Sequence, residues 1–291
     1  MTIPFFDGHN DFLLRLMKSP RPRHDLWLGT GEEGHLDLAR MQEAGFAGGL
    51  FAIFVPPRST GPAPDFKAFM ANPPYAMPMP PLMTHPEAQP DALTMAGLLH
   101  WMERAAPDAF RLCRTAADIK AAMAAGQIAG VMHMEGAEAI GPDLDALYLF
   151  YEMGLRSLGP VWSRETIFGH GVPMAFPGTP DIGPGLTNRG KDLIRLCDEL
   201  GILIDLSHLN EKGFDDVAAH STAPLVATHS NAYALCNSPR NLTDRQLHIM
   251  RERGGMVGLN FATFYLNEDG RSDSTLGWDV MLRQLDYLIE A

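Results

Sequence analysis

The chain has 291 residues and a mass of 31.9 kDa, and with 46% hydrophobic and 20% charged residues it is globular material for one large α/β domain or two smaller ones. A net charge of -12 and a pI near 5.3 argue against binding nucleic acid through its phosphates, which needs a clustered basic surface. Three widely spaced cysteines, Cys113, Cys197 and Cys236, indicate neither a disulfide framework nor a Cys-based zinc site; with no signal-like leader and no run of about twenty apolar residues, the expectation is a cytoplasmic protein off the membrane.

The first predicted strand, Ile3 to Asp7, runs into Asp7-Gly8-His9-Asn10-Asp11. In extended backbone residues i and i+2 face the same side, so His9 and Asp11 can reach one ion with an imidazole nitrogen and a carboxylate oxygen. The alternative is an Asx turn in which Asp11 caps a helix starting at Phe12. A helix over Leu36 to Ala44 and a strand over Gly48 to Val55 come next. Pro56 to Pro90, rich in proline and methionine, then predicts a long loop with neither regular helix nor strand. Following the second strand, it is expected either on the rim of an active site or as a solvated insertion with no role.

Helices are predicted over Ala92 to Arg104 and Ala116 to Ala125, a strand over Gln127 to Glu135, a helix over Leu144 to Met153 and a strand over Arg156 to Trp162. The clearest helix is Asn188 to Leu200, where Leu193, Ile194, Leu196, Cys197 and Leu200 fall at helical spacing between a capping Thr187 and a terminating Gly201. Strands over Ile202 to Ser207, Leu225 to Thr228 and Met256 to Phe261 alternate with helices over Glu211 to Ala219, Thr243 to Arg253 and Leu276 to Glu290. This alternation implies a parallel sheet, and the strand count suggests a single (β/α)₈ TIM barrel over residues 1–291. The alternative is a doubly wound sheet, but no Gly-x-Gly-x-x-Gly turn follows the first strand.

The remaining metal-competent residues fall at strand ends: Glu135 in Met132-His133-Met134-Glu135-Gly136, His208 in Ile204-Asp205-Leu206-Ser207-His208, and His229 in Val226-Ala227-Thr228-His229. At the carboxyl ends of barrel strands, His9, Asp11, Glu135, His208 and His229 would converge on the mouth of the barrel. Five ligands exceed what one tetrahedral zinc with an open position needs, whereas a shared carboxylate lets them hold two ions, with Glu135 the natural bridge.

These motifs, with Thr228-His229-Ser230-Asn231 and Pro239-Arg240-Asn241-Leu242-Thr243-Asp244, together resemble the membrane (renal) dipeptidase family in order and spacing along nearly the whole chain. The resemblance implies a zinc-dependent dipeptidase on a (β/α)₈ barrel of the amidohydrolase type, often homodimeric, that cleaves L-Xaa dipeptides and accepts a D-residue at the carboxyl end. It also implies roles: His9 and Asp11 on one zinc, His208 and His229 on the other, and Glu135 bridging both. Such a pair of ions would hold a bridging hydroxide and polarise the scissile carbonyl. Arg240, on the loop after the sixth predicted strand, is a candidate for the substrate's free carboxylate, which a guanidinium fork binds in bidentate fashion.

Two departures from the family pattern stand out. Where many relatives end the fourth strand in Thr-His-Asn, with the histidine contacting the reacting carbonyl, this chain reads Pro160-Val161-Trp162-Ser163; His170, in Phe168-Gly169-His170-Gly171, is the candidate substitute. The family's eighth strand, with a Gly-Ser-Asp-Phe-Asp-Gly-like motif and a proton-handling aspartate, has no counterpart before Ala291, so the sequence is expected to be truncated relative to a full member. That leaves a non-catalytic metal-binding or interaction module as a rival to the dipeptidase. An amidohydrolase of N-acyl amino acids or lactones is a second rival; those commonly use a carbamylated lysine bridge, and no lysine lies in the third or fourth predicted strand. Side-chain preference is expected to reside in Pro56 to Pro90 and Phe168 to Pro184.

Overall fold

A computed structural model describes residues 3–29, 34–58 and 65–291. In chain order, β1 (Phe5–Asn10), α1 (Phe12–Lys18), α2 (Arg23–Leu28), α3 (Leu38–Ala44) and β2 (Phe46–Phe54) precede α4 (Phe66–Phe69), β3 (Tyr75–Ala76), α5 (His85–Ala105), β4 (Phe110–Leu112), α6 (Ala116–Ala124) and β5 (Ile128–Glu135). Next come α7 (Asp145–Met153), β6 (Leu155–Gly159), β7 (Ala175–Phe176), α8 (Asn188–Leu200), β8 (Leu203–Ile204) and α9 (Glu211–His220). The series closes with β9 (Val226–Ala227), α10 (Asp244–Glu252), β10 (Met256–Val257), α11 (Thr263–Leu266) and α12 (Trp278–Glu290). The chain divides into two compact units, Met1–Val55 with Thr84–Leu158, and Pro56–Met83 with Gly159–Ala291.

The first unit is built on a parallel sheet in the order β1-β2-β5-β6, with β4 also paired to β5. Its two central strands are almost wholly buried, as expected of parallel strands covered on both faces. The register sets Phe51 beside Met132 and Phe54 beside Glu135, so Glu135 lies at the carboxyl edge of the sheet. Beneath it runs an aromatic chain: Trp27 meets Phe12 at 5.5 Å and Phe110 at 5.4 Å, and Phe110 meets Phe51 at 5.3 Å. Two elements that contribute to it, α2 and β4, are too short for a periodic signal and escaped the sequence reading. What holds α2 is burial of Leu26 and Trp27, whose indole donates to the Met102 carbonyl at 3.2 Å.

In the second unit local rules hold closely. Helix α8 has the predicted bounds; the Thr187 hydroxyl accepts from the Gly190 N–H at 3.1 Å, and Gly201 ends the helix at φ 68°. Asn210 caps α9 by accepting from the Gly213 N–H at 2.9 Å, and Thr243 with Gln246 forms a capping box on α10. Strands β9 and β10 are parallel, Val226 facing Met256, and Asp205 bridges to Val226 from the segment after β8.

The loop expected over Pro56 to Pro90 is corrected in part, its residues 59–64 lying outside the described residues. It contains α4 and β3, and α5 begins inside it at His85. Proline does not prevent this start: Pro86 occupies the first turn, where an N–H has no intrahelical partner, and the Glu87 carboxylate accepts from the Thr84 N–H at 2.9 Å. Pro90 is accommodated within the helix. The remainder is tied down, β3 pairing antiparallel with β7, Tyr75 opposite Phe176, and the Tyr75 hydroxyl donating to the Gly270 carbonyl at 2.8 Å.

Candidate active site

Strand β1 extends further than expected and carries His9 within it, with Asp11 directly after. The register is irregular between Asp7 and Asn10, and buried Asn10 donates to Asp7 at 2.8 Å. Helix α1 does start at Phe12, but Asp11 makes no side-chain capping bond to it. On β5, Glu135 ends the strand and His133, two residues earlier, shares its face. The His9 Nε2 atom stands 3.7 Å from Asp11 Oδ1 and 3.8 Å from Glu135 Oε2. These separations exceed hydrogen-bond length and suit donors grouped around an ion at bond lengths of about 2.0–2.2 Å.

His133 packs edge-on to His9 with centroids 5.7 Å apart, and its Nδ1 lies 2.8 Å from the Ser157 hydroxyl on β6. Burial is the largest influence on the Asp11 carboxyl and raises its pKa, but the His9 interaction and the nearby His9 and His133 rings outweigh it and leave the group below its ordinary value. Asp7, in the same motif, moves the opposite way, raised chiefly by burial.

In the second unit, the Nε2 atoms of His208 and His229 face one another at 3.1 Å. Each ring is held through its other nitrogen: His208 Nδ1 lies 2.9 Å from the Ser163 hydroxyl, and His229 Nδ1 lies 2.8 Å from the Thr228 hydroxyl. Outer hydrogen bonds on Nδ1 with converging Nε2 atoms are the habit of metal-binding histidines. His208 also adopts φ 70°, an uncommon conformation for a residue with a side chain and one that concentrates at functional sites. Within the first unit, two carboxylates and an imidazole, and within the second, two imidazoles, are donor types that zinc accepts.

Trp162 lies with its ring 6.0 Å from that of His208, and the buried Arg164 guanidinium sits 5.9 Å from the Trp162 ring. The loop bearing His170 does fold back along His208, the Val172 N–H donating to the His208 carbonyl at 2.9 Å and the Asn210 N–H to the His170 carbonyl at 3.2 Å. Gly171 permits this approach, because a Cβ there would stand 1.8 Å from the Trp162 carbonyl oxygen. His170 is partly exposed, with Nδ1 2.7 Å from a Glu165 carboxylate oxygen. Arg240 is buried, donating from Nη2 to the His229 carbonyl at 3.1 Å, with its guanidinium 5.5 Å from the Tyr265 ring. Sequence reasoning assigns no role to His133, Ser157, Ser163, Asp205 and Thr228, although all but Ser157 stand inside the quoted motifs.

The family model for membrane dipeptidase (peptidase family M19) matches residues 1–291. A metallo peptidase from Rhodobacter sphaeroides, solved with a phosphinate mimic of the dipeptide L-Ala-D-Ala, is 61% identical with a TM-score of 0.97 over 100% of this chain and 83% of that one. The dipeptidase AC, a metallo peptidase of family M19, is 61% identical with a TM-score of 0.95, covering 100% of this chain and 82% of its own. An uncharacterized protein in the PQQ-III 3′ region of Acinetobacter calcoaceticus is 44% identical over 291 residues, 99% of this chain and 90% of its own length. Among the described residues no helix is long and apolar enough to cross a membrane.

Proposed function

The chain belongs to the membrane dipeptidase family, peptidase family M19, and from that premise we propose that it hydrolyses the peptide bond of L-Xaa-L/D-Xaa dipeptides with zinc. The observation that carries this reading is the opposed His208 and His229 Nε2 atoms, each ring oriented by a hydroxyl, in a chain that also sets Asp11 and Glu135 about His9. In this reading His9 and Asp11 would hold one ion and His208 and His229 a second, with Glu135 the carboxylate available to both, on a single (β/α)₈ barrel over residues 1–291. When bound, the ions supply a Lewis acid for the scissile carbonyl and lower the pKa of the attacking water. Three unpaired, buried cysteines support a reducing, cytoplasmic setting.

The chain's own residues do the rest. A dipeptide presents a free carboxylate one residue from the scissile bond, and the Arg240 fork recognises it in a buried setting where charge-assisted bonds are strong. His170 takes the part of the carbonyl-contacting histidine; because Nδ1 is engaged by Glu165, Nε2 is the atom that meets substrate. Side-chain preference belongs to the two loops joined by the β3–β7 pairing, whose backbone contact includes the Met77 N–H donating to the Met174 carbonyl at 2.9 Å.

The test is hydrolysis of L-Ala-D-Ala and L-Ala-L-Ala by protein stripped with a chelator and reloaded with zinc, beside N-acetyl-L-alanine and a lactone. Dipeptide turnover that returns as about two ions per chain bind is the expected result. Full zinc loading without turnover of any substrate would favour the metal-binding module, and turnover of the acyl amino acid or the lactone alone would favour another amidohydrolase.

A further inference from the structure

Two buried residues inside the histidine motifs of the second unit have no part in the reading so far: Asp205 and Thr228. Asp205 Oδ1 accepts from the backbone N–H groups of Ser207 at 3.0 Å and Thr228 at 2.9 Å, and Oδ2 accepts from the Thr228 hydroxyl at 2.7 Å. The Ser207 hydroxyl is a poor rival for that proton: it stands 3.5 Å from Thr228 Oγ1 and accepts from the His229 N–H at 3.1 Å. The single hydroxyl proton of Thr228 is therefore committed to Asp205.

Thr228 Oγ1 also lies 2.8 Å from His229 Nδ1. With its proton directed to Asp205, the oxygen meets Nδ1 as an acceptor, which requires the imidazole proton to sit on Nδ1. A neutral ring in that tautomer carries its lone pair on Nε2, the atom that faces His208 Nε2 at 3.1 Å. Asp205 does not reach the ring itself, since Oδ2 is 4.0 Å from Nδ1. The hydroxyl is the intermediary.

We infer that Asp205, acting through the Thr228 hydroxyl, holds the His229 proton on Nδ1 and so commits Nε2 to a metal ion. The pair are positioning residues, and the inference rests on the reading of His229 as a zinc ligand. Asp205 also ties the two strand ends together through its backbone bonds, so Thr228 is the better residue to change.

The experiment measures zinc affinity by competition with a chromophoric chelator, together with the ring ¹⁵N shifts of His229 in the zinc-free protein. Unsubstituted protein is expected to show the Nδ1–H tautomer; the Nε2–H tautomer overturns the inference without any variant being needed. Thr228→Val keeps the shape of the side chain without the hydroxyl and is expected to weaken zinc binding about 10–100-fold and mix the tautomers, while Thr228→Ser restores both. Unchanged zinc affinity in Thr228→Val overturns the inference, whether or not the melting temperature falls, because the bond would then be merely structural. His229→Ala separates the two levels of the argument. If it keeps its full zinc complement, the ligand reading fails and takes the inference with it; if it loses an ion while Thr228→Val binds as tightly as before, only the inference fails.

Discussion

In the first unit two of the three proposed donors, Asp11 and Glu135, bring negative charge, and they stand 3.7 and 3.8 Å from His9 Nε2, Asp11 just after β1 and Glu135 at the end of β5. In the second unit both proposed donors are imidazoles, 3.1 Å apart at Nε2, and backbone placement alone would not make them ligands. An imidazole offers a lone pair at Nε2 only when its proton is elsewhere, so Ser163 and Thr228 matter there as no hydroxyl matters to a carboxylate. Charge is carried by the residue type, whereas tautomer is conferred by neighbours.

The sharpest way to break this contrast is to remove charge without changing shape. Glu135→Gln is expected to lower zinc content sharply from about two ions per chain and to reduce kcat by about 10³-fold or more, read by metal analysis and dipeptide hydrolysis. Retention of both ions would mean that charge is not what the first unit contributes. Next in size is Arg240→Ala, which should raise KM for dipeptides by about 10–100-fold with zinc content unchanged; unchanged kinetics would remove Arg240 from the site.

His170→Asn tests the proposed substitute for the carbonyl-contacting histidine and should lower kcat roughly 10²-fold with zinc binding intact. If kcat holds, the histidine whose place Trp162 takes has no replacement in that loop. Ser163→Ala, which takes the hydroxyl from His208 Nδ1, should weaken zinc binding about tenfold, whereas a carboxylate donor would lose little from a comparable change. The smallest expected effect is none. Burial pushes the thiols up, Cys113 to about 11 and Cys197 and Cys236 to about 12, so they remain protonated at pH 8. Native protein should therefore resist alkylation there, with all three cysteines reacting only after denaturation.

Much of the fold was legible because its signals are local. Helix α8 was bounded to the residue by a capping threonine, an apolar stripe and a left-handed glycine, all within a few residues of one another. The error over Pro56 to Pro90 has an equally local cause: proline was taken as a general breaker, although a first helical turn accommodates it, as Pro86 shows. Helix α2 was missed for the opposite reason, since Trp27 packs against Phe12 and Phe110 and nothing near it in sequence announces that contact. The sequence proposes His9, Asp11, Glu135, His208 and His229 as metal donors, but gives buried His133, which stands in the motif of Glu135, no role.

By itself the sequence determined which metal-competent residues exist, their order and the family the chain resembles, because helix caps and motif spacing are properties of neighbours along the chain. Only the tertiary structure decided which hydroxyl meets which imidazole, Ser163 with His208 and Ser157 with His133, and that β3 pairs with β7. Those partners lie 45 and 24 residues apart for the two hydroxyl contacts, and packing brings them together after the loops between them have closed. A histidine in a motif says that a nitrogen is present; the fold says which hydroxyl meets it.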